Sequence, residues 1–293
     1  MTRSTLFVHA HPDDECFPTG ATIARYASEG ARVTVVTCTR GEAGEILVDD
    51  LKHLDPDGLG AHRMTEMAAS VAALGISDHR WLGGPGRWRD SGMMGTPEND
   101  DPRCFWRADL DEAVAELVRV IREVRPQVAV TYDSNGDYGH PDHIQAHRVT
   151  VAAVERAADP AYGDGEPHEV AKLYATAFPK SVLRAAFDYY KASGDEFFAD
   201  VESADEMPFG VPDEVVTTRV RAFDQVERKL AAFRAHRSQV DPNGVFFSLP
   251  PELAVTGHGT EHFTLLRGTV GPDVDEDGWE SDLFSGVAIR HKE

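Results

Sequence analysis

Cysteine is nearly absent from this chain: Cys16, Cys38 and Cys104 are the only three in 293 residues, and no pair has Cys-x-x-Cys spacing. An odd, scattered set of this kind excludes a disulfide framework and a thiolate zinc site. Long apolar runs are missing too, and nothing approaches the ~20 residues of a membrane span. Basic side chains are in deficit, with 29 Lys and Arg against 50 Asp and Glu, a formal charge of −21 and a pI of about 4.9. Phosphate contacts need clustered Lys and Arg, so nucleic acid and anionic membranes are excluded as partners. The first residues carry no signal-peptide apolar region and no cleavage site, and the expectation is a cytoplasmic protein. What is present, 41% hydrophobic and 27% charged residues, suits a globular chain able to bury a core.

Residues 6–10 read as a short buried strand, which must end where Pro12 pushes His11 out of the helical region. A helix fits 20–29, with Ile23, Tyr26 and Ala27 on one face and Gly30 as its stop, and 33–39 is a second β-branched run. Strand, helix and strand in that order make a right-handed βαβ unit and predict a parallel sheet. The pattern repeats, with helices over 63–74, 109–125 and 144–157 and strands over 80–82 and 128–132. In 109–125 the apolar residues Leu110, Val114, Leu117, Ile121 and Val124 advance by four, three, four and three, the period of an amphipathic helix.

Beyond about residue 160 the pattern loosens into a loop at 159–167, a strand at 172–178, helices at 182–192 and 222–235, and an acidic surface excursion at 195–213. The expected fold class is α/β: a Rossmann-like, mostly parallel sheet flanked by helices. Residues 1–160 form its core, and 161–293 form a less regular part that packs on the core and contributes to the substrate pocket.

Histidine carries most of the functional information. Of 13 histidines, His11 lies in His11-Pro12-Asp13-Asp14-Glu15, and His140 and His143 lie in Tyr138-Gly139-His140-Pro141-Asp142-His143. Each group is expected to sit in a loop that follows a predicted strand, and open α/β sheets bind ligands at the carboxyl ends of their strands. Imidazole and carboxylate together suit Zn²⁺ or Fe²⁺, and a hydrolytic metal needs three protein ligands with one position left for water. Adjacent Asp13 and Asp14 allow one carboxylate to face a metal while its neighbour faces the water. His143 and His147 also stand four apart at a helix start, so spacing alone leaves His140, His143 and His147 open as ligands. Glu15 reads either as support for a ligand histidine or as a first-turn helix carboxylate, and His236, which follows a helix, reads equally as a cationic C-cap or as a ligand.

Ala10-His11-Pro12-Asp13-Asp14-Glu15 together with His140-Pro141-Asp142-His143 resembles the zinc-dependent deacetylases of the PIG-L/LmbE-like family, which act on N-acetylglucosaminyl compounds. The further landmarks Gly41-Glu42-Ala43-Gly44-Glu45, segment 86–93 and Thr131-Tyr132-Asp133 resemble the branch that acts on N-acetylglucosaminyl-inositol in mycothiol biosynthesis. The resemblance covers about the first 155 residues well. It implies a hydrolase in which His11, Asp14 and His143 hold Zn²⁺, with Fe²⁺ as the alternative, and Asp13 is the general base. It further implies that Tyr138 and His140 act on the developing oxyanion or the leaving amine, and that Glu45, Arg63, Asp90 and Met93 line the pocket of an amino-sugar glycoside substrate. His147 is expected to support or pack rather than ligate.

Three rival readings follow from the same residues. A mycothiol S-conjugate amidase shares the metal motifs, and Asp241-Pro242-Asn243 leans towards it. A nucleotide-binding α/β protein needs a glycine-rich turn after the first strand, where this chain has acidic residues that repel phosphate. A non-catalytic metal protein has no use for the additional carboxylate of Asp13.

Overall fold

The computed structural model describes residues 2–193, 202–207, 209–241, 244 and 247–288. Strand β1 (Ser4–His9) has every side chain buried, as befits its central apolar and β-branched run Thr5-Leu6-Phe7-Val8 in a sheet covered on both faces. β2 (Arg32–Thr37) and β4 (Val128–Thr131) flank it in parallel, β3 (Asp78–Trp81) lies beyond β2, and β5 (Lys172–Ala177) lies beyond β4. The expected parallel sheet is therefore present. It continues into two strands that the hydrophobic pattern does not announce, β6 (Thr218–Arg221) and β7 (Thr260–Arg267), giving the order β3-β2-β1-β4-β5-β7-β6. β7 is antiparallel to both β5 and β6, so its first residues arrive at the carboxyl edge of the other strands.

Alternate residues of β1 feed two cores. Phe7 packs with Val33, Val35 and Val130 beneath α1 (Gly20–Ser28), α2 (Pro56–Leu74) and α7 (Val226–Ala235). Leu6 and Val8 pack with Val36 and Ala129 beneath α3 (Leu110–Val124) and α5 (Pro141–Ala158). α2 begins before residue 63 because Asp55 accepts the Gly58 N–H and Pro56 takes the first helical position. α5 likewise begins at Pro141 rather than 144, following the short kinked turn α4 (Gly136–Gly139). In the C-terminal part a 3₁₀ turn occupies Phe223–Gln225, so α7 starts at Val226, and α6 (Lys180–Ser193) and α8 (Pro251–His258) complete the set of longer helices. Of the acidic excursion, 194–201 and 208 lie outside the described residues; within it Asp205 pairs with Arg184. Pro242 and Asn243 also lie outside them.

Buried charges stitch the C-terminal strands to the rest. The Glu261 carboxylate of β7 accepts the Ala21 and Thr22 N–H groups at 2.9 and 2.8 Å and Lys229 Nζ at 2.7 Å, satisfying α1 donors for which Thr19 supplies no side-chain cap. Glu280 gathers Lys172, Tyr174 and Thr218 in the same manner. No helix among the described residues is long and apolar enough to cross a membrane.

Candidate active site

The loops after β1, β3 and β4 meet at the carboxyl edge of the sheet. Pro12 ends β1, and Asp13 then adopts φ +99°, a left-handed conformation that costs a non-glycine residue on the order of 1–3 kcal/mol and persists only where its surroundings impose it. The turn separates two adjacent carboxylates. Asp14 Oδ2 accepts the His11 N–H at 2.8 Å and the Tyr132 hydroxyl at 2.7 Å, and it lies 3.3 Å from His11 Nδ1 while Oδ1 lies 3.5 Å from His143 Nε2. Burial works against its charge, but His143 and His11 hold the Asp14 carboxyl well below the usual carboxylate range. Asp13 Oδ2 instead accepts from Arg63 at 2.9 Å. Burial, opposed by Arg63, pushes the Asp13 carboxyl up to about 6.

His11 and Asp14 pose a simple question of donors. Nε2 of His11 lies 3.2 Å from Asp142 Oδ2 and 3.5 Å from Asp90 Oδ1, so its N–H belongs there and Nδ1 turns an acceptor lone pair to the acceptor Asp14. Such a buried pair requires a cation, either a proton or a metal ion, between its members. With a proton, burial is outweighed by Asp90 and by the hydrogen bonds to Asp14 and Asp142, and the ring is held well above its ordinary value. His143 sits in the first turn of α5, and neither of its ring nitrogens makes a hydrogen bond among the described residues. Burial pushes it down to about 4, so it is a neutral donor. Two atoms each about 2.1 Å from a tetrahedral ion stand about 3.4 Å apart, close to the 3.3 and 3.5 Å that separate Asp14 from the two imidazoles. His11, His140 and His143 also have ring nitrogens within 4.8 Å of one another. The donor set fits a divalent metal.

His140 differs in its tautomer. It is the N-cap of α5, and Nδ1 accepts the Asp142 N–H at 3.1 Å, which leaves the proton of the neutral ring on Nε2. Burial and then the charge on His11 depress it to about 2. The expectation that the second histidine group lies in a loop is thus corrected: the loop ends at His140, and His143 belongs to the helix, because Pro141 starts it and His140 caps it. Before that cap, Gly136 lets the chain pass where a Cβ would stand 2.7 Å from the His143 Cβ, and Gly139 takes φ +88°. Tyr138, between them, is 38% exposed with its ring 5.1 Å from that of His143.

The residues assigned to the substrate are dispersed. Arg63 is buried and committed to Gly41 O, Pro12 O and Asp13. Asp90 is buried beside His11 and accepts the Ala43 and Gly92 N–H groups. Glu45 and Met93 are exposed. His147 Nδ1 meets Tyr132 O at 2.8 Å, in keeping with a packing role.

Sequence reasoning passed over Asp142, fully buried and held by the N–H and hydroxyl of Ser91, and Tyr132, whose hydroxyl joins Ala10 N–H to Asp14. Asp142 was visible between Pro141 and His143, where carboxylate next to ligand histidine is itself a signal. Glu15 supports neither a ligand histidine nor a helix start, since its oxygens go to Asp13 N–H, Ser70, Cys16 and His236. His236 does cap α7, but its ring is engaged with Glu15. A chamber of about 510 Å³ opens beside Asp14, Tyr138 and His143, with Phe17, Phe178, Leu183, Phe209 and Leu249 among its walls.

The family model for PIG-L, GlcNAc-PI de-N-acetylase, matches residues 6–154, just over half of the chain. The chain belongs to the PIG-L family. The matched stretch of the PIG-L model contains both histidine groups and stops short of the chamber walls contributed by 177–262. A relative from Thermomonospora curvata, 1D-myo-inositol 2-acetamido-2-deoxy-alpha-D-glucopyranoside deacetylase, is 57% identical over 290 residues, 97% of each chain, so its likeness extends through the C-terminal part. Among solved structures, N,N'-diacetylchitobiose deacetylase from Pyrococcus horikoshii superposes with a TM-score of 0.58 at 20% identity, covering 90% of this chain and 84% of that one. GalB, the 4-carboxy-2-hydroxymuconate hydratase of Pseudomonas putida, does so with a TM-score of 0.60 at 18% identity, covering 94% and 100%. These two likenesses concern the fold alone, and a hydratase among them illustrates that one fold carries several chemistries.

Proposed function

We propose that this PIG-L family member is a metal-dependent N-deacetylase that hydrolyses the acetamide of 1D-myo-inositol 2-acetamido-2-deoxy-α-D-glucopyranoside, in mycothiol biosynthesis and in the cytoplasm. The observation that carries the reading is the division of labour between two adjacent carboxylates: Asp14 faces His11 and His143, while Asp13 is turned away by its backbone and has its carboxyl pushed up to about 6. The relative from Thermomonospora curvata supports the substrate.

His11, Asp14 and His143 would hold the metal, Zn²⁺ or alternatively Fe²⁺. When bound, a divalent metal supplies Lewis acidity, polarising a carbonyl and lowering the pKa of water to about 7. Asp13, poised just below neutrality, takes the proton as water adds to the acetamide carbon. The Nε2–H of His140 donates a hydrogen bond to the carbonyl oxygen as charge develops there, and the proton held by Asp13 passes to the amine nitrogen as the C–N bond breaks and acetate departs. Tyr138, on a loop with left-handed residues on both sides, covers the reacting group and offers a second donor. Asp142 fixes the His11 ring through Nε2, leaving Nδ1 for the metal. Asp90, Arg63, Glu45 and Met93 complete the sugar side, with Arg63 acting chiefly through Asp13.

The test is a comparison of kcat/KM for release of free amine from the inositol glycoside and from a mycothiol S-conjugate, with zinc-loaded and chelator-treated protein. Preference for the glycoside, lost on chelation, is expected. Preference for the conjugate would make the protein an amidase instead, and full activity after chelation would overturn the metal.

A further inference from the structure

Asp13 is kept in its left-handed conformation by contacts from three directions. Its carbonyl accepts the Cys16 N–H at 2.9 Å, Arg63 reaches both Pro12 O and the Asp13 carboxylate, and its own N–H donates to Glu15 Oε2 at 2.9 Å. Glu15 is in turn fixed from outside the loop. Its Oε1 receives His236 Nε2 at 2.7 Å, the Ser70 hydroxyl and Cys16 Sγ at 3.2 Å. Ser70 belongs to α2, and His236 ends α7, 221 residues away along the chain. The Glu15 and His236 side chains are both 0% exposed. None of Glu15's hydrogen bonds goes to His11, Asp14 or His143.

A buried ion pair is a poor way to gain stability, because apolar residues of the same volume generally serve as well or better. What the pair offers is direction: one carboxylate oxygen is held by two helices, and the other pulls on a single peptide N–H. We propose that Glu15 and His236 are positioning residues for the reaction, a buried pair that holds the Asp13 backbone left-handed so that its carboxylate faces the reacting water while that of Asp14 faces the histidines. The inference rests on Asp13 being the base.

Zinc-loaded wild type, His236→Ala, His236→Gln, Ser70→Ala, Asp13→Asn and the Asp13→Asn/His236→Ala double variant separate the possibilities. Misplacing a catalytic group should cost His236→Ala about 10- to 100-fold in kcat, with KM and zinc content unchanged. His236→Gln, which keeps an N–H donor, should recover part of that loss. In the Asp13→Asn background, removal of His236 should cost no more than about twofold, since the group it positions no longer acts. Equal fold losses in both backgrounds, or a loss that enters through KM or zinc content, would overturn the proposal. Should His236→Ala not fold, Ser70→Ala removes one Oε1 donor without emptying the core and must show the same dependence on Asp13. Full activity in Asp13→Asn would remove the base itself, an outcome distinct from additive losses.

Discussion

Asp14 and His143 belong to two regions at once. With Asp13, Asp90 and Asp142 they form a lattice in which every carboxylate has an assigned donor; with Phe17, Phe178, Leu183, Phe209 and Leu249 they line a chamber of mostly hydrocarbon. The lattice comes from the loops after β1 and β3 and from the first turn of α5, and most of the chamber comes from residues 177–262. In the lattice a removed atom leaves a buried charge without its partner, which is costly. In the chamber a removed atom leaves only space. The two regions should therefore answer substitution on different scales.

The largest effects are expected where the lattice would hold the metal. Asp14→Asn, His11→Ala and His143→Ala should lose most of the bound zinc by metal analysis, whereas His140→Ala should retain it and lose turnover. Zinc retained by His143→Ala but lost by His140→Ala would reverse the ligand assignment. Next comes Asp13→Asn, which should keep the metal and lose about 10² to 10⁴ in kcat, the range of general-base catalysis. Its pH profile adds a check. The Asp13 carboxyl is raised by burial and must be ionised to accept a proton, so wild-type kcat/KM should fall as pH drops through about 6, and this limb should move or vanish in the variant.

A smaller change is expected at Asp90. Its place beside His11 Nε2 and beneath the Ala43 and Gly92 N–H groups makes it more than a hydroxyl contact. Asp90→Ala should raise KM and also weaken zinc affinity by about 10- to 100-fold, as loss of an outer carboxylate does elsewhere; an altered KM with unchanged zinc affinity would return it to the sugar alone. The smallest effect belongs to the chamber. Phe178→Ala, which removes a ring stacked 5.2 Å from Phe17, should leave zinc content unchanged and shift kcat/KM for the polar glycoside by less than about tenfold, the scale of one apolar pocket contact. A loss as large as that of Asp13→Asn would erase the distinction between the regions.

The same contrast explains what could be read from sequence. β1 and α3 follow apolar periods that any packed sheet and helix require. β7 does not, because Glu261 and His262 are buried polar residues that break its alternation, and β6 is half arginine in Thr-Arg-Val-Arg. His11, Asp14 and His143 stand out because titratable side chains rarely cluster twice after strands, and the structure does gather them. Apart from the pocket role that the resemblance implied, Arg63 read as a helix residue, since its partners Gly41 and Pro12 become neighbours only through the crossover between β1 and α2. No local pattern could join Glu15 to His236 or foretell that His140, rather than a residue with a hydroxyl or carboxylate, would cap α5.

The reversed direction of β7 has a consequence for how such a molecule can diversify. β6 leaves the sheet and β7 re-enters it at one edge, with Arg221 opposite Thr260, so residues 222–259 form a cassette whose two ends are already side by side. A cassette can be lengthened or exchanged without altering the register of any other strand. It carries Leu249, Gly257 and His258 of the chamber, and also the imidazole that grips Glu15. A graft from a relative would thus change which shapes the site admits, but only a graft bringing its own histidine to that point would leave the turn at Asp13 secured, so breadth of substrate and setting of the base travel together on one exchangeable piece of chain.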